Sequence, residues 1–227
     1  MNLLSFLLLF CSLLFSKDKV FDTQPIFPLP TKKAVVSIPK KSKPTVILDP
    51  GHGGSDEGAK IKTLLEKKLT LRAALLVKKE LELLGYNVLL TRLRDIYTPL
   101  SKRVDLANER KPSLFVSIHF NSSKIPTAKG IEIFYYQSKQ KDKDRAVSSK
   151  NLATSILDHL VTQTAATSRG VKQGNFHVIR ETEMPAVLVE GGFLTNMQER
   201  NLIASTAYLE KLSKGIAKGI DSYVKQK

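Results

Sequence analysis

The chain has 227 residues, 42% of them hydrophobic and 25% charged, which is ordinary for a soluble globular protein. Its single cysteine, Cys11, excludes an intramolecular disulfide framework and a cysteine-rich zinc site. The net charge of +15 favours an anionic partner. Because the sequence has no zinc-finger spacing, arginine-rich helix or aromatic-interleaved basic motif, we do not expect that partner to be a nucleic acid.

Two segments precede the predicted domain. The apolar run LLSFLLLFCSLLF, at residues 3–15, is too short for a spanning helix and typical of the core of a signal peptide. We therefore predict a signal peptide or N-terminal anchor over residues 1–16 and an extended lysine- and proline-rich linker over residues 17–44. The protein is then expected to be exported to the periplasm or cell envelope. It would associate with a membrane only through an uncleaved N-terminal segment.

From residue 45 onward, strand and helix patterns alternate along the chain. We predict strands at 45–49, 86–92, 113–119, 130–136, 176–180 and 185–192. We predict helices at 66–85, 99–109, 144–163, 196–204 and 206–225. This alternation predicts a single α/β domain over residues 45–227. Its sheet would be mixed but mainly parallel, with about six strands and with helices on both faces.

Three polar side chains stand at the carboxyl ends of predicted apolar strands. His52 follows the first strand, His119 ends the third, and Glu190 follows the apolar run AVLV of the last. In open α/β sheets, ligands bind at this edge. A carboxylate that ends an apolar run needs a reason to be there, because burying it without a partner is costly. The three residues are therefore candidates for one functional site.

Two imidazoles and a carboxylate would make a zinc site with an open fourth position for water. The candidate carboxylates are Asp56, Glu57 and Glu66. Glu66 begins a predicted helix and would be held more firmly than the two loop residues, although a glutamate at a helix start is also favourable without any metal. Glycines surround His52, so the sequence predicts a flexible loop that is costly to order but allows the backbone to approach an ion closely.

With these residues placed, the chain resembles the zinc-dependent N-acetylmuramoyl-L-alanine amidases of bacterial cell walls (the Amidase_3 type). The likeness covers residues 45–224 and rests on ordered blocks: VILDPGHGGSDEGA, LEKKLTL, VLLTRLRD, SKRVDLANER, LFVSIHFNSS, GIEIFYY and MPAVLVEGGFLTN. The resemblance implies one zinc ion held by His52, Glu66 and His119, with Glu190 as the catalytic glutamate. It also implies a mixed six-stranded sheet and cleavage of the amide between muramic acid and L-alanine.

The same resemblance sets expectations for mechanism and partners. Glu190 would take a proton from zinc-activated water and return it to the leaving nitrogen. Peptidoglycan or a muramyl peptide would be the substrate, and the basic surface would hold or steer its carboxylates. Some relatives carry a long blocking insertion after the GIEIFYY strand, whereas here only QSKQKDKDR, at 137–145, precedes the next helix. We therefore expect the activity to be regulated by something other than a blocking insertion, and a regulatory activator protein is one candidate partner.

Three further residues are candidates for substrate contacts. His177 and Arg180 lie on the predicted strand 176–180, in line with the active edge, where they could contact a substrate carboxylate or the oxyanion. A packed strand histidine and a surface arginine are the plainer interpretation of this pair. Asn121 follows His119 closely and could orient the ligand loop.

Other functions remain open from the sequence. Ser138 and Lys141 have the S-x-x-K spacing of penicillin-binding serine enzymes, which would make the protein a bifunctional amidase and carboxypeptidase. Such matches arise by chance in a lysine-rich chain, and no clear K-T-G element is present. The fold could also serve a non-catalytic wall-binding protein, or a zinc peptidase that cuts within the stem peptide.

Overall fold

The computed structural model describes residues 44–137 and 142–226. The predicted signal peptide or anchor and residues 17–43 of the predicted linker lie outside the described residues, as do Ser138 and Lys141. Among the described residues, no helix combines the length and the apolar character needed to cross a membrane.

Strands and helices alternate along the described chain as the sequence predicts. The strands are β1 (Thr45–Pro50), β2 (Lys60–Ile61), β3 (Leu64–Leu65), β4 (Asn87–Leu90), β5 (Leu114–Asn121), β6 (Ile131–Tyr135), β7 (Ser168–Gln173) and β8 (Ala186–Phe193). The helices are α1 (Glu66–Leu83), α2 (Leu100–Arg110), α3 (Lys143–Thr164), α4 (His177–Arg180), α5 (Met197–Ile203) and α6 (Thr206–Lys225).

Six of the described strands form one mixed, mainly parallel sheet in the order β4-β1-β5-β8-β6-β7. β4, β1, β5 and β8 run parallel, β6 runs antiparallel to β8, and β7 is parallel to β6. β2 and β3 form a separate short antiparallel pair. The predicted fold class is therefore confirmed. The carboxyl ends of β1, β5 and β8 meet at one edge, which we call the active edge.

Helices cover both faces of the sheet, and this explains the unbroken apolar runs in the strands. Val46 and Leu48 pack into one core with α1, α3 and α6, whereas Ile47 packs into a second core with α2 and α4. A parallel strand with both faces covered needs apolar residues at every position. The run Val46-Ile47-Leu48 is therefore a consequence of the two cores, and its end at Asp49 marks the start of the active edge.

One predicted strand is wrong. Within 176–180, residues 177–180 form the short helix α4, and the amide N–H groups of Arg180 and Glu181 donate to the carbonyls of Phe176 and His177. Val178 and Ile179 are apolar because they pack into the second core. The sixth strand is β7, whose polar sequence SRGVKQ lacks the alternation that would have predicted it.

Candidate metal centre and active site

Glu66 lies between the two histidines predicted to bind a metal. Its Oε1 atom is 3.1 Å from Nε2 of His52 and 3.0 Å from Nδ1 of His119. One potential ligand atom from each residue lies within 4.8 Å of the others. Glu66 is the first residue of α1, so the structure brings together the helix-start carboxylate and the two histidines.

Backbone donors fix the carboxylate of Glu66 from the other side. Its Oε2 atom accepts from the amide N–H of Ala59 at 2.8 Å, and Oε1 accepts from that of Phe120 at 3.1 Å. Burial alone would raise the pKa of Glu66, but hydrogen bonds and charge interactions with His119 and His52 outweigh it and lower the pKa. The carboxylate is therefore ionised at neutral pH, as a metal ligand must be.

Asp56, one of the loop carboxylates considered from the sequence, contacts His52 from the side opposite Glu66. Both of its carboxylate oxygens are 2.9 Å from Nδ1 of His52, which leaves Nε2 directed at Glu66. Burial by itself lowers the pKa of His52, but Glu66 and Asp56 together raise it. Carboxylates placed in this way orient a ligating imidazole and fix its tautomer.

The glycines around His52 allow the backbone of the loop to pass very close to the candidate ligands. A Cβ atom on Gly51 would lie 2.2 Å from Cε1 of His119, and one on Gly58 would lie 2.6 Å from Oε2 of Glu66. His52 itself adopts a left-handed conformation, with φ of 59°. Histidine is one of the non-glycine residues that tolerate this region. The loop is therefore tightly fitted around the candidate metal-binding side chains.

A buried arginine, Arg103 of α2, fixes the backbone on which His52 sits. Its guanidinium donates to Oδ1 of Asp49 and to the carbonyls of Pro50 and His52, each at 2.7 Å. Arg103 and Asp49 are 2% and 1% exposed. Burial would raise the pKa of Asp49, but the charge of Arg103 and hydrogen bonds from Thr91, Arg103 and Ser117 lower it. This ion pair is therefore charged and screened from water.

Arg92 holds the same loop from the end of β4. It donates to the carbonyls of Pro50 at 3.0 Å and Gly51 at 2.8 Å, and also to the carbonyl of Lys67 on α1 at 2.8 Å. Arg92 is 2% exposed. Sequence reasoning missed both arginines, since a long charged side chain is expected at the surface. The only signal was their place in the ordered blocks VLLTRLRD and SKRVDLANER.

Glu190 lies on β8, the strand next to the one that carries the candidate ligand His119. It is in register with His119 of β5 and with Glu132 of β6. Among the described residues, Oε2 of Glu190 is buried without a hydrogen-bond partner. Burial raises the pKa of Glu190 well above its usual value, and the negative charges of Glu66 and Glu132 add to the effect. The side chain therefore holds a proton more readily than an ordinary glutamate.

A cavity of about 300 Å³ opens over the two histidines. Its lining includes the polar side chains of Asp56 and Arg103 and the apolar side chains of Tyr97, Leu100 and Val178. The cavity therefore combines imidazole nitrogens with apolar side chains, an arrangement common in small-molecule sites.

Residues 46–222 match the family model for N-acetylmuramoyl-L-alanine amidases. The chain belongs to this amidase family. A crystal structure of an N-acetylmuramoyl-L-alanine amidase from Clostridium difficile 630 is 38% identical in sequence, with a TM-score of 0.76 over 81% of this chain and 97% of that one. The CwlD amidase from Clostridioides difficile, solved in complex with the GerS lipoprotein, is 30% identical with a TM-score of 0.74, covering 82% of this chain and 100% of that one.

Among curated relatives, the amidase AmiC of Neisseria meningitidis serogroup B is 32% identical, over 80% of this chain and 53% of its own length. The chain therefore spans about half the length of that relative. The amidase-family fold covers the part of the chain that carries the candidate site.

The remaining predicted site residues of this amidase are engaged with partners other than His52, Glu66 and His119. Asn121 donates to Oε1 of Glu132 at 2.7 Å. Nη2 of Arg180 is 3.3 Å from Nδ1 of His177, and Arg180 also donates to Glu181. Of the described residues of α4, Val178 lines the cavity and these two do not. Their contact with substrate stays a prediction.

The serine-enzyme alternative has little support from the described part of the amidase. Ser138 and Lys141, its two key residues, are outside the described ranges. Ser149, which follows in an S-x-N pattern, is buried in α3, where its Oγ atom accepts from the amide N–H of Ala186. This serine therefore links α3 to β8.

Proposed function

We propose that residues 45–227 form the catalytic domain of a peptidoglycan amidase that hydrolyses the bond between N-acetylmuramic acid and L-alanine. The observation that carries the proposal is the convergence of His52, Glu66 and His119 beside the buried carboxyl of Glu190, in a chain of this amidase family. One product is the free lactyl carboxylate, and the other is the peptide with a free L-alanine amine.

The side chains present fit a zinc ion. Two imidazoles and one carboxylate are the donor set of many catalytic zinc sites, and three protein ligands leave one position open. A zinc ion held by His52, Glu66 and His119 would lower the pKa of a water molecule and polarise the scissile carbonyl. Asp56 would keep the imidazole of His52 in the orientation and tautomer that present Nε2.

Glu190 is proposed to move the proton that amide hydrolysis requires. As water attacks the lactyl carbonyl, the carboxylate of Glu190 takes a proton from it. As the carbon–nitrogen bond breaks, Glu190 returns that proton to the L-alanine nitrogen. A carboxyl whose pKa burial raises is suited to hold the proton between the two steps.

We also propose that the protein acts in the cell envelope after export, because its substrate is there. Probable cell wall amidases of Staphylococcus are among the relatives. The CwlD amidase was solved with a lipoprotein bound, which supports a protein partner that controls activity here.

The decisive experiment analyses the products of a defined muramyl peptide by mass spectrometry, with and without chelator. We expect unsubstituted N-acetylmuramic acid and a free L-alanyl peptide, lost with chelator and restored by Zn²⁺. A metal-dependent cut at another bond would identify a zinc peptidase. Binding of the substrate without any cut would instead identify a wall-binding module.

Replacing His119 with alanine should abolish both stoichiometric zinc and amidase activity, because two of the three protein ligands cannot hold the ion tightly. The measurement is the zinc content of the purified protein by atomic spectrometry, together with product formation. His159→Ala is the matched control, since His159 lies in α3 with Nδ1 2.8 Å from the carbonyl of Ser155. Full zinc content in the His119 variant would exclude this residue as a ligand.

Replacing Asp56 with alanine should weaken zinc binding by about 10- to 100-fold without removing a ligand, because His52 loses the carboxylate that orients it. Competition with a chromogenic chelator measures the affinity. Glu57→Gln is the control, because Glu57 is the adjacent acid but pairs with Lys60 at the surface. Equal affinities of the wild type and the Asp56 variant would show that this contact does not support the ligand.

A further inference from the structure

The strand order arranges charged groups in a row along the active edge. After the histidine on β5 comes Glu190 on β8, and then Glu132 on β6, which is in register with Glu190. Arg169 follows near the amino end of the outermost strand, β7. Lys172 is in register with Phe134, farther from the edge, and its side chain reaches back to Glu132. This row leads away from the metal-binding residues and ends in two cations.

Both cations contact one buried carboxylate, that of Glu132. Oε2 of Glu132 accepts from Nε of Arg169 at 2.8 Å and from Nζ of Lys172, while Oε1 accepts from Asn121. The side chain of Glu132 is only 7% exposed, whereas those of Arg169 and Lys172 are 36% and 40% exposed. Two positive charges on one negative charge leave an excess of +1 on the solvent side. A carboxylate from solution is its chemical complement.

The opposite end of the site carries exposed apolar side chains. Tyr97 and Leu100 line the cavity and are 58% and 55% exposed, so a bound molecule can contact them. Their loop is held to the His52 loop because Oδ1 of Asp95 accepts from the amide N–H of Gly54 at 2.7 Å. An aromatic and aliphatic rim suits the C–H faces of a sugar ring. The two carboxylates at this end, Asp56 and Asp95, are already engaged, Asp56 with His52 and Asp95 with Lys67.

The distance from β5 to β7 matches the length of a short extended peptide. Neighbouring strands are about 4.8 Å apart, so β7 lies roughly 14 Å from β5. An extended peptide covers about 3.3–3.6 Å per residue, so roughly four residues span that distance. The long side chains of Arg169 and Lys172 reach back to Glu132 and shorten it further.

We propose that Arg169 and Lys172 bind a carboxylate of the stem peptide, and that the muramyl sugar lies toward Tyr97. The substrate thus crosses the metal centre in one direction, with its anionic part over the cationic end of the sheet. This inference deepens the proposed amidase function and rests on it.

The test uses two muramyl tripeptides that differ only in amidation of the peptide carboxyl groups. The wild type should favour the free acid over the amide, and added salt should reduce the preference. Lys172→Met should raise KM for the free acid by about 10-fold and leave kcat little changed, because only a charge-assisted contact is lost. KM for the amide should change by less than about 2-fold. Lys172→Arg should retain the preference. If Lys172 had only a structural role, its replacement would not change the ratio of the KM values for the two substrates.

Two controls make the outcome specific. Lys218→Met, at an exposed lysine on α6, should change KM for neither substrate. Tyr97→Ala should raise KM for both substrates equally, because both carry the sugar. Equal losses for both substrates in Lys172→Met, or an unchanged preference, would overturn the carboxylate site.

Failure of the amidase proposal would look different. The zinc-loaded wild type would then cleave neither tripeptide at the lactyl amide. Dissociation constants of the same two peptides for the wild type and Lys172→Met would decide the carboxylate site in that case. A preference for the free acid that the variant loses would support it, and equal affinities would overturn it.

Discussion

Replacing Glu190 with glutamine should lower kcat by about 10²- to 10⁴-fold, the usual contribution of a general acid–base residue. Zinc should remain bound, because none of the three proposed ligands is altered. Turnover of a muramyl peptide and zinc content, measured on the same preparation, check both parts. Glu183→Gln is the matched control, since Glu183 is an exposed glutamate shortly before the same strand. Near-normal turnover in the Glu190 variant would remove this residue from the mechanism.

The same substitution should not destabilise the metal-free protein at neutral pH. Burial and the charges of Glu66 and Glu132 disfavour the ionised form of Glu190, and glutamine is neutral. A carboxyl whose folded-state pKa is raised stabilises the fold fully below its ordinary pKa of 4.5, and that contribution is lost as the pH rises through the folded-state pKa. The stability of the wild type relative to the glutamine variant should therefore fall as the pH rises above about 4.5.

Replacing Arg103 with methionine should destabilise the fold by about 3–5 kcal/mol, because Asp49 would be left as a buried charge without its cation. Urea unfolding of the metal-free protein measures the loss. Lys102→Met is a matched control at the preceding residue. Lys102 pairs with Asp105 at the surface, a contact worth about 0–1 kcal/mol. A second change, Asp49→Asn, should restore part of the stability lost in Arg103→Met.

The pH dependence of this loss follows from the lowered pKa of Asp49. A carboxylate with a depressed folded-state pKa stabilises the fold above its ordinary value of 3.8, and the contribution is lost as the pH falls through the folded-state pKa. The wild type and Arg103→Met should therefore differ most near neutral pH and converge in acid. A constant difference across this range would show that Arg103 acts through packing and not through its charge.

The sequence was sufficient to predict the grouping of His52, His119 and Glu190, because the carboxyl ends of parallel strands meet at one edge. It also favoured Glu66, because a residue that opens a helix is well fixed. It could not predict how Asp56 holds His52, since that contact depends on the path of the loop. The burial of Arg92 and Arg103 was equally hidden, because most of their partners are backbone carbonyls, which carry no sequence signal, and the Asp49 partner of Arg103 is 54 residues away in the chain.

The errors in the predicted sheet have a common cause. FHVIR, at 176–180, has the composition of a strand. In the structure it forms a helical turn instead, and this turn places Val178 and Ile179 in the second core. SRGVKQ, at 168–173, is too polar to read as a strand, yet it pairs with β6 at the sheet margin. Propensity is a weak guide where an element is short or lies at an edge.

The position of β7 at the end of the sheet has a consequence for self-association. Along the described strands, its outer side carries no neighbouring strand, so its backbone groups are open to pairing with another molecule. Charged side chains on such an edge discourage that pairing. Arg169 and Lys172 are therefore expected to serve solubility as well as the proposed carboxylate binding. A variant in which both are neutral should then be more prone to aggregate, whatever its substrate preference.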